Sequence, residues 1–357
     1  MKTKIGVITF FNYCNFGAVL QCYGLSTVLH RLGCDVEYID YTCPFIGNPF
    51  GLKSIQRRGL IGYMYTIAGF LFYIPRHGLF RKFRTLIPHS NPVSPKNVAD
   101  YADCYDKYIA GSDQIWNTRL TDFDKTYFLD FVKDPLKKIS YAASFGGANI
   151  NDGQHQEIAK LLSDFKAISV REVYGQEIVK ELTGKHAVIT SDPTLLPRRD
   201  DWESIAASKP RSMKPYILVY QLGFSGKVIQ ATRTLKHEKS MRVEYVPFPL
   251  GVPVLGRYHL HLGPREWIAL FRDAEYVVTD SFHGVVFSLL FEKKFIVVAA
   301  GQHKNQRVIS LLARFGLLNR VYDDDMPNMD DEIDYECVNK ILEKDRQMSI
   351  EWLRQNV

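Results

Sequence analysis

Residues 276–291 read Tyr-Val-Val-Thr-Asp-Ser-Phe-His-Gly-Val-Val-Phe-Ser-Leu-Leu-Phe. The apolar, β-branched start, residues 276–279, predicts a buried strand, and the apolar stretch 284–291 predicts a helix. A carboxylate, a hydroxyl and an imidazole stand between them. A strand that passes through a short polar turn into a helix is the unit of a parallel α/β sheet, and such sheets bind ligands at the carboxyl ends of their strands.

The same alternation of strands and helices continues on both sides of this stretch. Predicted strands lie at residues 4–10, 35–41, 107–110, 138–144, 167–170, 187–190, 216–222, 242–247, 276–279 and 295–299. We expect two doubly wound α/β domains with mainly parallel sheets. The N-terminal domain is predicted over residues 1–205, with an insertion at about 44–98, and the C-terminal domain over residues 206–330. Residues 331–357 are predicted to form a terminal helix that packs back on the domains.

The composition is that of a globular protein, since 46% of the 357 residues are hydrophobic and 24% are charged. The apolar residues 5–11 are followed by Asn12 rather than by a cleavage site, so we interpret them as a strand and not as a signal peptide. The six cysteines form no C-x-x-C pair. This pattern favours reduced thiols in a cytoplasmic protein.

The formal net charge of +6 comes from the insertion, because residues 42–98 contain eight Lys and Arg but no Asp or Glu. These cations flank an apolar, aromatic run at residues 60–74, which is shorter than the roughly 20 residues of a spanning helix. The pattern fits a helix lying on an anionic membrane surface. A helical hairpin that covers the first domain is an equal alternative. Nucleic acid is disfavoured as a partner because the aromatic residues are not interleaved with the cations.

Two segments of the N-terminal domain place polar residues after predicted strands. The first segment is the loop at residues 12–17 with the helix that follows it. There, Asn15, Gly17 and Gln21 could contact an anion or a sugar oxygen, or Asn15 could simply cap the helix. In the second, GSDQIWN at residues 111–117, Ser112 and Asp113 could accept sugar hydroxyls while the ring of Trp116 covers a sugar face. Alternatively, Ser112 or Asp113 caps a helix and Trp116 fills the core.

Two further segments follow the last strands of that domain. In SVRE at residues 169–172, the Arg171 guanidinium could bind a carboxylate or phosphate, or it could form an ion pair with a nearby acid. In the turn at residues 191–195, Asp192 could help to shape the ligand site, or the segment could be a plain turn.

The C-terminal domain supplies the sharpest pattern, with His283 close to the start of a helix. An imidazole there could exchange a proton near neutral pH, although a lone histidine is more often structural. Asp280 could orient it, and the amides of Ser281 and Gly284 could hold an anion. Asn305 and Arg307 stand at the next strand-to-helix junction. The chain has no G-x-G-x-x-G motif, so a nicotinamide or flavin enzyme is not supported.

Five of these segments, in this order, resemble the polysaccharide pyruvyl transferase family: NFGAVLQ at 15–21, GSDQIWN at 111–117, SVRE at 169–172, SDPTLL at 191–196 and TDSFHG at 279–284. The resemblance implies two Rossmann-like domains in a GT-B-like arrangement, with the site in the interdomain cleft. The N-terminal domain would take the acceptor and the C-terminal domain the donor. Family members carry R-x-H-G where this chain has Ser281-Phe282-His283-Gly284, so Arg171 and Arg307 become the stronger donor contacts.

The resemblance also implies a reaction. Phosphoenolpyruvate would be the co-substrate, with no metal and no other cofactor, and the acceptor would be galactose or a related hexose on a polyprenyl-diphosphate-linked glycan. His283 would protonate the donor, Arg171 and Arg307 would hold its carboxylate and phosphate, and Asp113 would accept hydroxyl protons. Such an enzyme would work at the inner face of the cytoplasmic membrane. The alternatives are a GT-B glycosyltransferase that uses a sugar nucleotide and a non-catalytic subunit of a glycan assembly complex.

Overall fold

The computed structural model describes residues 2–46, 76–147, 150–208, 214–223, 225–247, 256–298, 306–323 and 325–357. The chain divides into two compact units, each built on one parallel sheet of six strands in the described part. Unit 1 comprises Met1–Pro49, Arg84–Pro197 and Leu342–Val357, and unit 2 comprises Phe50–Phe83 and Arg198–Ile341.

The sheet of unit 1 has the strand order β2-β1-β3-β4-β5-β6, and all its pairings are parallel. Its strands are β1 Lys4–Ile8, β2 Asp35–Tyr38, β3 Lys107–Ala110, β4 Lys138–Ala143, β5 Ala167–Val170 and β6 Val188–Ile189. Its helices are α1 Phe16–Arg31, α2 Thr118–Thr121, α3 His155–Ser163 and α4 Val173–Thr183. The central strand β4 is buried at every position, as expected for a sheet covered on both faces.

Helix α1 packs closely against the turn that follows β6. A Cβ atom on Gly24 would lie 2.3 Å from the carbonyl oxygen of Pro193, so only glycine allows this approach. The C-terminal helix reaches the same turn, because the hydroxyl of Ser349 accepts a hydrogen bond from the Ser191 N–H at 2.9 Å. The turn at residues 191–196 is therefore fixed from two sides.

The sheet of unit 2 has the strand order β12-β11-β10-β7-β8-β9 and is likewise parallel. Its strands are β7 Tyr216–Tyr220, β8 Arg242–Val246, β9 Arg257–Tyr258, β10 Tyr276–Thr279, β11 Lys294–Val298 and β12 Val321–Tyr322. Its helices are α5 Arg199–Ile205, α6 Gly226–Lys239, α7 Pro264–Asp273, α8 Phe282–Leu290 and α9 Gln306–Arg314, and α10 Tyr335–Asn356 begins in this unit. Trp267 lies fully buried between Tyr220 and Phe287, with ring centroids 5.2 Å and 4.8 Å away.

The predicted class of two doubly wound α/β domains is confirmed by these two sheets. The division of the chain differs from the predicted boundary at residue 205, because α5 belongs to unit 2, where Trp202 packs edge-on against Phe287 at 5.1 Å. The predicted terminal helix is present as α10, and its residues from Leu342 onward group with unit 1.

The predicted insertion at 44–98 is divided between the two units. Residues 47–75, which include the apolar run at 60–74, lie outside the described residues. Among the residues that follow, Arg76 belongs to unit 2 and donates a hydrogen bond to the Leu260 carbonyl at 2.7 Å. None of the helices in the described ranges is both long enough and apolar enough to cross a membrane.

Candidate functional site

The carboxyl edge of the unit 1 sheet brings together side chains from three of the predicted segments. Arg171 donates from Nη1 to Asp192 Oδ2 at 2.6 Å, and the Ser112 hydroxyl lies 3.4 Å from the same oxygen. Glu172 also joins the group, because its Oε2 lies 3.6 Å from Arg171 Nε. These residues and Asp113, which acts electrostatically on Arg171, are called the edge cluster below.

Asp192 is the anchor of this edge cluster. Its Oδ1 accepts hydrogen bonds from the backbone N–H of Thr194 at 3.0 Å and from the Thr194 hydroxyl at 2.6 Å. Its other oxygen receives Arg171, and the residue is only 1% exposed. Asp192 therefore fixes the turn after β6 and the guanidinium beside it, and this is an internal structural role.

The electrostatics of the edge cluster are dominated by carboxylates. Burial would lower the pKa of Arg171, but the carboxylates of Asp192, Glu172 and Asp113 outweigh burial and raise it. Three carboxylates thus surround one guanidinium. The structure shows the ion pair that the sequence left open as an alternative for Arg171. The prediction that Arg171 binds an anionic donor is not supported, because the neighbouring carboxylates already compensate the charge of its guanidinium.

Glu172 was not among the predicted site residues, although it stands next to Arg171 in the SVRE segment. Its carboxylate accepts a hydrogen bond from the Ser144 hydroxyl at 2.5 Å, and Ser144 in turn accepts the Gly146 N–H at 3.0 Å. Ser144 follows β4, so this contact joins the ends of two neighbouring strands. The sequence signal that could have identified Glu172 is its position next to Arg171 at the end of β5.

Asp113 occupies an unusual backbone conformation at the end of β3. Its φ is 77°, in the left-handed region that an L-residue enters at a cost. The conformation is held by Ser144, whose N–H donates to the Asp113 carbonyl at 3.0 Å, and by Gln114, whose N–H donates to the Asp113 carboxylate at 2.8 Å. The side chain is half-buried. Asp113 thus remains a candidate for accepting hydroxyl protons.

Trp116 and Gln21 are buried rather than available to a ligand. The indole of Trp116 is 0% exposed, stacks on Phe128 at a centroid distance of 5.5 Å and donates to the Tyr127 carbonyl at 3.1 Å. The prediction that it covers a sugar ring is therefore wrong for this conformation, because the ring fills the core. Gln21 is equally buried and donates to the Thr9 hydroxyl at 3.2 Å, so its amide is engaged within the core.

Asn15 and Gly17 form the first turn of α1. The exposed Asn15 is the N-cap, and its Oδ1 accepts the Ala18 N–H at 3.2 Å. Gly17 is buried within that turn. The structure therefore shows the helix cap that the sequence offered as the alternative to ligand binding.

In unit 2, the loop between β10 and α8 is built on Thr279. The Thr279 hydroxyl donates to the Tyr220 carbonyl at 2.8 Å and accepts the Ser281 N–H at 3.1 Å. Ser281 is the N-cap of α8, and its hydroxyl accepts the Gly284 N–H at 3.3 Å. The amides of Ser281 and Gly284 are thus engaged within the loop, so the prediction that they hold an anion is wrong for this conformation.

Asp280 ties this loop to the one that follows β7. Its two carboxylate oxygens accept the backbone N–H groups of Leu222 at 2.7 Å and of Gly223 at 3.0 Å. These bonds fix the ends of two adjacent strands relative to each other. The predicted role of Asp280 in orienting His283 stays a prediction.

His283 and Arg307 meet on the ring of Phe282. The imidazole packs edge-on against that ring at 5.3 Å, and the Arg307 guanidinium lies 6.0 Å from its centroid. His283 is 9% exposed and Arg307 is half-buried. The structure thus brings a titratable group and a permanent cation to the first turn of α8. Asn305 lies outside the described residues.

Comparison with solved structures places the chain among proteins with two α/β domains. A putative UDP-N-acetylglucosamine 2-epimerase from Listeria monocytogenes matches with a TM-score of 0.52 and 9% identity, over 99% of this chain and 91% of the other. The S. aureus MnaA–UDP co-structure matches with a TM-score of 0.50 and 12% identity, over 96% and 88%. These likenesses concern the fold alone, and they confirm the predicted GT-B-like class of two Rossmann-like domains.

Comparison at the level of sequence points to one family. No curated protein sequence matches the chain. Within the described ranges, no group of three or more His, Cys, Asp or Glu side chains is placed to hold a metal ion. The family profile described as polysaccharide pyruvyl transferase matches residues 15–301, which include all five of the quoted segments. The chain therefore belongs to the polysaccharide pyruvyl transferase family.

Proposed function

We propose that the protein transfers the enolpyruvyl group of phosphoenolpyruvate to two hydroxyls of a sugar, forming a pyruvate ketal and releasing phosphate. The single observation that carries this proposal is the meeting of His283 and Arg307 on Phe282 at the start of α8. Family membership supplies the class of reaction, and this pair supplies a proton donor and a cation for an anionic donor substrate.

The chemistry requires a proton on the methylene carbon of the enol ether before the central carbon can be attacked. His283 would deliver this proton, because a protonated imidazole is a common general acid in enzymes. Arg307 would hold the donor's carboxylate or phosphate with its guanidinium. One sugar oxygen then bonds to the central carbon, the bond to phosphate breaks, and the second hydroxyl closes the ketal ring.

Unit 1 suits the neutral sugar acceptor better than it suits phosphoenolpyruvate. The edge cluster holds three carboxylates against one guanidinium, and this repels a phosphorylated acid but not a neutral sugar. Asp113 would accept a hydroxyl proton from that sugar. Galactose or a related hexose on a polyprenyl-diphosphate-linked glycan is the proposed acceptor, and the basic segment at 44–98 would bring the enzyme to the inner membrane surface.

Replacement of the imidazole tests the proposed function. With phosphoenolpyruvate and a panel of hexosides, His283→Ala should lower the rate of phosphate release by about 10²- to 10⁴-fold, the usual contribution of a general acid. The exposed His237 on α6 is the matched control, and His237→Ala should keep the wild-type rate. Phosphorus NMR follows the products directly.

Two results would contradict this function. Near-normal phosphate release by His283→Ala would remove the imidazole from the mechanism. Release of a nucleoside diphosphate from a sugar nucleotide, without turnover of phosphoenolpyruvate, would support the GT-B glycosyltransferase instead. The membrane step has its own test, because a folded variant lacking residues 59–75 should bind anionic vesicles more weakly than the full chain.

A further inference from the structure

A further carboxylate, outside the edge cluster, stands at the carboxyl edge of unit 1, beyond the end of β2. Asp40 is 8% exposed, and its Oδ1 atom is buried with no hydrogen-bond partner among the described residues. Its backbone is held firmly, because its N–H donates to the Ser90 hydroxyl at 3.1 Å and its carbonyl accepts the Val93 N–H at 2.8 Å. A buried acceptor atom without a hydrogen bond lowers the stability of the fold, because its desolvation is not compensated. A hydrogen-bond donor on a ligand would compensate it.

A guanidinium lies near the end of the same strand, β2. Arg84 lies 5.9 Å from the centroid of the Phe11 ring, and Phe11 is itself stacked on Tyr38 at 5.5 Å. Burial raises the pKa of Asp40, while the nearby charges of Arg84 and His89 act in the opposite direction. Asp40 and Arg84 are therefore within electrostatic reach of each other, and aromatic rings fix the position of the cation.

Arg84 also lies at the same edge as the edge cluster. Burial raises the pKa of the Cys22 thiol, and the charges of Asp113, Arg84 and Asp192 all act on that thiol. Asp40 follows β2 and Asp113 follows β3, and these two strands flank β1 at the same carboxyl edge of the sheet.

The chemistry of this pair selects the kind of ligand. A carboxylate oxygen accepts a hydrogen bond from a hydroxyl, and a guanidinium donates hydrogen bonds through several N–H groups. Together they suit two neighbouring hydroxyls. An anion is disfavoured, because Asp40 adds a carboxylate to those of the edge cluster. A neutral polyhydroxyl compound satisfies both groups without bringing charge.

We propose that Asp40 and Arg84 form a subsite that binds hydroxyl groups of the sugar acceptor, at the carboxyl ends of β1 and β2. The subsite deepens the proposed function and rests on it. Asp40 accepts a hydrogen bond from one hydroxyl, and Arg84 donates to an oxygen beside it. Both residues act on acceptor binding and not on the donor.

Steady-state kinetics of single variants of the full chain test the subsite. Asp40→Asn and Arg84→Gln should each raise KM for the acceptor about ten- to hundredfold, as expected when one hydrogen bond to a charged group is lost. KM for phosphoenolpyruvate should stay within about twofold of the wild-type value. The matched control is Asp35→Asn, since Asp35 is an exposed carboxylate at the opposite end of the same strand and should leave both constants unchanged.

Binding without turnover separates this inference from the proposed function. Saturation-transfer difference NMR with methyl β-galactopyranoside, methyl α-mannopyranoside and N-acetylmannosamine should give signals with the wild-type chain that both variants lose. Loss of these signals in both variants supports the subsite even if the wild-type chain releases no phosphate. Sugar binding without phosphate release would contradict only the proposed reaction. The subsite is overturned if no probe binds the wild-type chain, or if turnover occurs and both variants keep the wild-type acceptor KM.

Discussion

Replacement of Arg171 distinguishes a structural cation from a donor-binding one. The side chains of Arg171 and Asp192 are only 3% and 0% exposed, and a 2.6 Å contact joins them. Arg171→Gln would leave the Asp192 and Glu172 carboxylates buried without their shared cation. Breaking a buried pair costs about 3–5 kcal/mol. Thr194 keeps both of its bonds to Asp192, so we expect the lower end, about 3 kcal/mol.

Thermal unfolding measures this loss. For a domain of 150–250 residues each kcal/mol lowers Tm by roughly 2–4 °C, so the transition of unit 1 should fall by about 6–12 °C. The double variant Arg171→Gln/Asp192→Asn should recover part of the loss, because it also removes one of the two unpaired carboxylates, and the double-mutant cycle gives the coupling between Arg171 and Asp192. At 20 °C the folded single variant should bind phosphoenolpyruvate with a KM within about twofold of the wild-type value.

An exposed arginine provides the control for this experiment. Arg199 pairs with Glu203 at 2.9 Å, but its side chain is 45% exposed, so Arg199→Gln should change stability by at most about 1 kcal/mol. A structural role for Arg171 is refuted if Arg171→Gln keeps the wild-type Tm within about 1 °C and raises KM for phosphoenolpyruvate about tenfold. That result would mean that Arg171 binds the donor.

Two further variants test the packing and the electrostatics of the site. Gly284→Ala would put a Cβ atom 2.2 Å from the Thr279 hydroxyl oxygen and should cost about 1–3 kcal/mol in a denaturant titration, whereas Gly226→Ala, whose Cβ meets open space, should cost nothing. Burial raises the pKa of Asp40 above its ordinary 3.8, so the folded form binds the proton more tightly and loses stability as pH rises through that pKa. Asp40→Asn should therefore raise Tm at pH 7 by a few degrees and give no gain near pH 3; an equal gain at both pH values would contradict this sign.

The positions of the strands could be predicted because apolar, β-branched runs stand between polar turns. The predicted strands at 107–110, 167–170 and 276–279 agree with Lys107–Ala110, Ala167–Val170 and Tyr276–Thr279. The strands Arg257–Tyr258 and Val321–Tyr322 were missed, because each has only two residues and no apolar run. Local patterning thus places the loops that carry the site.

The partners of the side chains in those loops could not be predicted in the same way. Nothing in the sequence near Trp116 shows that its indole meets the Tyr127 carbonyl, and so the choice between a sugar face and the core stayed open. Ser112 and Asp192 stand 80 residues apart yet share a hydrogen bond. Asp40 has no motif around it at all, and only tertiary structure reveals that its carboxylate is buried.

The charged groups differ between the two units. In unit 1, Asp113, Glu172 and Asp192 face one compensated guanidinium, so a phosphorylated acid would gain nothing there while a neutral sugar finds acceptor oxygens. In unit 2, Asp280 is occupied by two backbone N–H groups, and His283 and Arg307 share one aromatic ring. In the proposed reaction, this difference assigns the anionic donor to unit 2 and leaves the neutral acceptor to unit 1, because the carboxylates of unit 1 repel only the donor. The variants of Arg171 and Asp40 test it from the acceptor side, and His283→Ala tests it from the donor side.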